Sequence, residues 1–149
     1  DALSEKRVRV VPTCSMPEAL AALVVYDPEA DAESNAAAMT AAAEAVATGE
    51  VTRAVRDTTV AVGQVRTGDF IGLMRGDGIV AIDRSLVSCA TSLVDHLVAP
   101  GRELVTVIVG EGAAAADVEA VVAHVRSSGL EVEVHDGGQP LYPFLFGAE

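Results

Sequence analysis

Two short stretches hold the residue types best able to grip a ligand. Thr13-Cys14-Ser15-Met16-Pro17 closes a segment that reads as a strand, and open α/β sheets place their ligand crevices at such strand ends. Arg56-Asp57-Thr58-Thr59 ends a second strand-like segment with charge and hydroxyls. Together Ser15 and Arg56 could hold a phosphate or an acyl carboxylate, although capping and turn formation use the same residue types equally well. Gly110-Glu111-Gly112 leads from an apolar run toward a helix, and a Gly-rich turn exposes backbone N–H groups at a positive helix end. Its third glycine is missing, however, with Ala115 in that place. Glu111 puts negative charge in the cradle and no Walker-type Lys follows, so a tight β–α turn is the better reading.

Covalent and metal chemistry find weaker support. The candidate nucleophiles Ser15, Ser85, Cys14 and Cys89 sit in no G-x-S-x-G elbow, and none neighbours a histidine in sequence. Cys89 falls on an apolar helix face and reads as core, while a lone turn thiol such as Cys14 is usually inert. Two cysteines form neither a disulfide framework nor a metal site, so a reducing cytoplasm is the expected compartment. His96 and His124 lie late in helices, where a cation suits the dipole, and no His, Cys or acidic grouping has metal spacing.

The elements that position these residues follow from composition and period. The chain has 149 residues, half of them hydrophobic. That suits one domain burying roughly 70% of its unfolded surface and rules out disorder. A net charge of −12 argues against nucleic acid and anionic membrane surfaces, and no apolar run is long enough for a membrane span. The start at Asp1, a few residues before a strand, reads as a piece of something longer.

Arg7 to Pro12 is β-branched and apolar and predicts that strand. Ser15 and Glu18 form a capping box, with Pro17 in the first turn and Leu20, Leu23 and Val24 at helical spacing to about Val25. A second helix is expected from Asp31 to Ala47, with Met39, Ala42, Ala43 and Val46 on one side and Gly49 just beyond. Residues 50–56 alternate as a strand. Residues 59–82 read as a small antiparallel excursion turning at Arg75-Gly76-Asp77-Gly78. A helix from Asp83 or Ser85 carries Leu86, Cys89, Ala90, Leu93, Val94 and Leu97 on one face. Leu104 to Val109 reads as a parallel strand buried on both faces, followed by a helix to Gly129 and an edge-like strand from Leu130 to His135. Tyr142, Phe144 and Phe146 then crowd into an extended tail, which either docks on the core or offers an aromatic strip to a partner. Alternating strands and helices predict an α/β fold: a mainly parallel sheet with helices on both faces and a β-hairpin insertion around 59–82.

In order, Val10-Val11-Pro12-Thr13-Cys14-Ser15-Met16-Pro17-Glu18, Thr52-Arg53-Ala54-Val55-Arg56-Asp57-Thr58, Gly68-Asp69-Phe70-Ile71-Gly72 and Gly137-Gly138-Gln139-Pro140-Leu141-Tyr142-Pro143 resemble the C-terminal region of the ATP-binding subunit of bacterial fatty acid kinase. These chains are also called Dak-phosphatase or dihydroxyacetone-kinase-like proteins. The resemblance covers essentially the whole chain, and Gly-Gly-Gln-Pro-Leu-Tyr-Pro is its most specific part. It departs at Cys14, often basic in relatives, and at Glu18, often Gln.

The resemblance implies a DegV-like fold lacking its first β–α unit, which contains a Pro-Asn-Asn turn in relatives. It further implies a non-catalytic, single C-terminal domain over 1–149 that docks a fatty-acid-bound DegV-type carrier. ATP and magnesium would belong to the parent chain's N-terminal domain, and none to this one. The expected partner- or ligand-facing residues are Thr13, Ser15, Pro17, Arg56, Asp57, Gly137, Gly138, Gln139 and Tyr142. An incomplete sheet would leave an open edge, which another chain or a second copy could pair. The rival reading is a small-molecule enzyme or sensor domain of a dihydroxyacetone-kinase-like protein, holding phosphate or an acyl group at the strand ends. A purely structural domain that shapes the parent's dimer is the third.

Overall fold

The computed structural model describes residues 8–149, which divide between Val46 and Ala47 into two compact units. The first is a helix pair, α1 (Met16–Val24) and α2 (Ala32–Ala45). Ser15 caps α1 by accepting from the Glu18 N–H at 3.3 Å. The Glu18 carboxylate reaches back one residue beyond the cap, taking the Cys14 N–H at 2.7 Å. Asp31 caps α2 through the Glu33 and Ser34 N–H groups, which hold its carboxyl below the usual range. Between the helices, Asn35 folds the linker by accepting from Asp27 N and donating to Asp27 O and Ala30 O.

One expectation fails in this unit. Residues 8–12 form no strand, and Arg7 lies outside the described residues. Their β-branched side chains have no ladder to join, and Val10 is left 82% exposed. In α1 the small residues Ala21 and Ala22 are buried with Pro17 and Glu18, while Leu20, Leu23 and Val24 face outward.

The second unit is built on a six-stranded sheet in the order β5-β4-β1-β8-β6-β7. Its strands are β1 (Ala47–Arg53), β4 (Phe70–Met74), β5 (Gly78–Asp83), β6 (Leu104–Val109), β7 (Glu131–Asp136) and β8 (Phe144–Ala148). β2 (Thr58–Val60) and β3 (Gly63–Val65) form a separate hairpin, so the excursion over 59–82 is two hairpins, the second of which joins the main sheet. Gly76 and Gly78 take positive φ at its turn, where side chains are disfavoured.

Only β6 and β7 run parallel, which corrects the mainly parallel sheet. The β6–helix–β7 segment is the one helical crossover between neighbouring strands. β4 and β5 join by a tight turn, and β8 inserts antiparallel between β1 and β6. Burial of β6 on both faces reflects its interior position, a condition that antiparallel neighbours meet as well.

α3 (Leu86–Leu97) and α4 (Ala115–Ser127) pack against each other in a single layer on the sheet, so within this unit the expected second helical face is absent. All six of the expected α3 residues are buried. They close over Val51, Val105, Val107, Phe144 and Phe146, whose two rings stack 5.7 Å apart. The aromatic tail therefore docks as a strand. α3 approaches closely because β1 and β4 present glycines. A Cβ on Gly72 would lie 3.1 Å from Leu93 Cβ, and one on Gly49 3.0 Å from Leu97 Cδ1.

Candidate functional site

Pairing directions decide which loops meet. β1, β5, β6 and β7 point one way and β4 and β8 the other. One end of the sheet therefore collects Arg53–Asp57, Arg66–Phe70, Asp83–Ser85, Gly110–Gly112 and Asp136–Pro143. Two of the expected segments, Arg56-Asp57 and Gly137 to Tyr142, share this end, and Thr52 Oγ1 donates to Leu141 O at 2.8 Å between their flanks. Thr13, Ser15 and Pro17 belong to the first unit. There Ser15 serves as the α1 cap and Pro17 is buried in its first turn.

Over β6 the loop is latched. Gln139 Nε2 donates to Ile108 O at 3.1 Å and to Tyr142 O at 3.0 Å. Gly137 and Gly138 N–H both reach Val109 O. A side chain at Gly137 would strike Ile108 and the Gln139 amide, and one at Gly110 would strike the carbonyls of Gln139 and Tyr142. Gln139 Oε1 is buried against this contact and has no hydrogen-bond partner among the described residues.

The same latch decides the Gly110-Glu111-Gly112 question. Gly110 N donates to Pro143 O at 2.9 Å and Glu111 N to Gln139 O at 3.1 Å. Ala114 N is taken by Asp117 Oδ2 at 3.0 Å. These three N–H groups therefore already have acceptors inside the protein.

Across β1, β4 and β5 the end is polar and braced. Ala54 N donates to Asp69 O and Gly68 N to Ala54 O, both at 2.8 Å. Asp57 accepts from Thr67 Oγ1 and Thr67 N, each at 2.7 Å, and these bonds hold its carboxyl below the ordinary range. Arg53 lies over the Phe70 ring, 4.1 Å from its centroid, and donates to Gly68 O. Arg84 approaches Asp69 at 4.0 Å. Arg56 is exposed, and among the described residues no ion pair engages its guanidinium.

Other candidates take structural places. Burial raises the Cys89 thiol to about 12, and Cys14 is exposed and unpaired. His124 Nε2 meets Asp95 Oδ1 at 2.7 Å, tying α4 to α3. In the first unit an open groove of about 530 Å³ runs between Val11, Leu23, Tyr26 and Met39, and Arg9 at its wall pairs with Glu33 at 2.7 Å. Among the described residues no helix is long and apolar enough to cross a membrane, and no three His, Cys, Asp or Glu side chains could share a metal ion.

The family model for the C-terminal domain of FakA-like fatty acid kinase subunits matches residues 1–149. The chain belongs to that family. Protein YloV of Bacillus subtilis is 33% identical over 147 residues, covering 97% of this chain and 26% of the relative. An uncharacterized protein of Staphylococcus haemolyticus is 38% identical over 149 residues, covering 99% and 27%. One from Staphylococcus aureus strain USA300 is 35% identical over 142 residues, covering 94% and 26%. The chain thus spans about a quarter of the length of the curated relatives it matches. At this end of the second unit Arg66, Arg84 and Val55, none of them among the expected site residues, also stand exposed. Only a running count of charge along the chain would have singled out the arginines.

Proposed function

We propose that this chain docks and positions a fatty-acid-bound carrier protein of DegV type for its parent fatty acid kinase subunit. The ATP- and magnesium-binding part of the parent then phosphorylates the acyl carboxylate. Membership of a fatty acid kinase subunit family supports the setting. The single observation that carries the role is the latched end of the second unit's sheet. Its glycine turn spends the Gly110 and Glu111 N–H groups on Pro143 O and Gln139 O, while Arg56 stands outward on a braced rim. Such a surface suits holding a second macromolecule in register, and register alone can be worth about 7–11 kcal/mol of a bimolecular barrier.

The test is Arg56→Ala in the full-length parent chain. Carrier-dependent turnover should fall about tenfold through a raised carrier KM, with nucleotide binding unchanged. Weakened ATP binding would refute the docking role.

A further inference from the structure

The second unit segregates its charge. Residues 53–84 carry five arginines against four aspartates, whereas residues 85–149 carry two arginines against nine carboxylates. All five arginines are exposed, and the strand directions bring four of them, Arg53, Arg56, Arg66 and Arg84, to the latched end of the sheet. The carboxylates among them are turned to the protein's own backbone. Asp57 receives Thr67 N, Asp69 receives Arg66 N and Asp83 receives Ser85 N. On the same end Val55 is 87% exposed and Leu141 71%. A basic rim therefore borders two bare aliphatic side chains, in a chain whose net charge is −12.

From this we infer that the β1–β4–β5 side of the sheet end is an interaction surface for the acidic face of a folded protein. Arg56 is its leading contact, Arg66 and Arg84 flank it, and Val55 and Leu141 meet the partner's apolar centre. Charge complementarity selects the partner, because the four arginines gather on the β1–β4–β5 side of this end, while the exposed Glu111 and Asp136 stand on its β6–β7 side. A desolvated aliphatic centre with an arginine rim is the composition of protein interfaces. The interleaved Asp57, Asp69 and Asp83 would oppose the uniform charge of a polyanion or an anionic membrane. The hydrogen bonds from Ala54, Gly68 and Thr67 fix the rim before a partner arrives, which lowers the ordering cost of association.

This inference rests on the docking reading and names the chemistry of the carrier's contact face. It is tested by measuring the affinity of the full-length parent chain for a purified DegV-type fatty-acid carrier. The titration compares wild type, Arg56→Glu, Arg66→Glu and, as a charge-matched control on α4, Arg126→Glu. The expected result is a loss of about tenfold for Arg56→Glu, a smaller loss for Arg66→Glu and none for Arg126→Glu. Wild-type affinity should also fall as salt rises from about 50 to about 300 mM. Carrier binding that all three variants leave within about twofold would overturn the inference while the docking reading stands. No carrier binding at low salt would remove both. Wild-type binding to anionic vesicles that Arg56→Glu abolishes would overturn the protein-partner assignment.

Discussion

The Gln139 amide spans carbonyls of two different segments, Ile108 in β6 and Tyr142 in the loop that precedes β8. Replacing it with leucine keeps the bulk and strands both acceptors, so Gln139→Leu should lower unfolding stability by about 1–3 kcal/mol in a urea titration. An unchanged midpoint would mean that the loop holds without the latch. Glu50 makes a second residue-scale prediction. Burial alone raises its pKa above the ordinary 4.5. The folded state then keeps this proton to higher pH than the unfolded chain. The contribution is most favourable below 4.5 and is lost as pH climbs through the raised value. Glu50→Gln should therefore flatten the decline in urea midpoint just above the ordinary carboxylate range and leave neutral-pH stability higher than wild type. At this scale legibility follows sequence separation. The Ser15–Glu18 cap could be read because its partners are three residues apart, whereas Gln139 and Ile108 are separated by 31. The motif around Gln139 was visible as a resemblance, but its structural work was not.

At the scale of elements, α3 was the most legible, because a helix that buries six residues on one face writes that face into its period. Its seat was not legible, since the glycines under it belong to strands. Gly72→Val should overpack the α3–sheet contact and cost about 1–3 kcal/mol, read as a drop in thermal midpoint with far-ultraviolet signal retained below the transition. Leu93→Ala, removing a fully buried side chain from the same seat, should cost about 2–5 kcal/mol. Strand existence in the second unit was mostly readable from β-branched runs, while strand direction was not. Apolar continuity in β6 reports burial and carries no information on whether a neighbour runs up or down. Val8 to Val11 marks the converse limit, as residues with strand propensity that join no strand among the described residues.

For the whole molecule, every residue of the main core cluster falls between Val51 and Ala148, within the second unit. Residues 47–149 expressed alone should therefore give one cooperative thermal transition. A gradual melt would mean that this core depends on the first forty-six residues. Charge segregation is also a whole-molecule property, and it escaped a motif-by-motif reading because no short window contains it. The sheet order carries one more consequence, for synthesis on the ribosome. β8 follows every other strand in sequence yet lies between β1 and β6, joining the β5-β4-β1 half to the β6-β7 half. Until it emerges, a nascent chain can hold only two half-sheets, with the inner edges of β1 and β6 unpaired. A translation product that stops short of Phe144 leaves those edges open, and unpaired strand edges drive aggregation and expose a chain to degradation. The placement of one strand thereby decides whether the two half-sheets close into one.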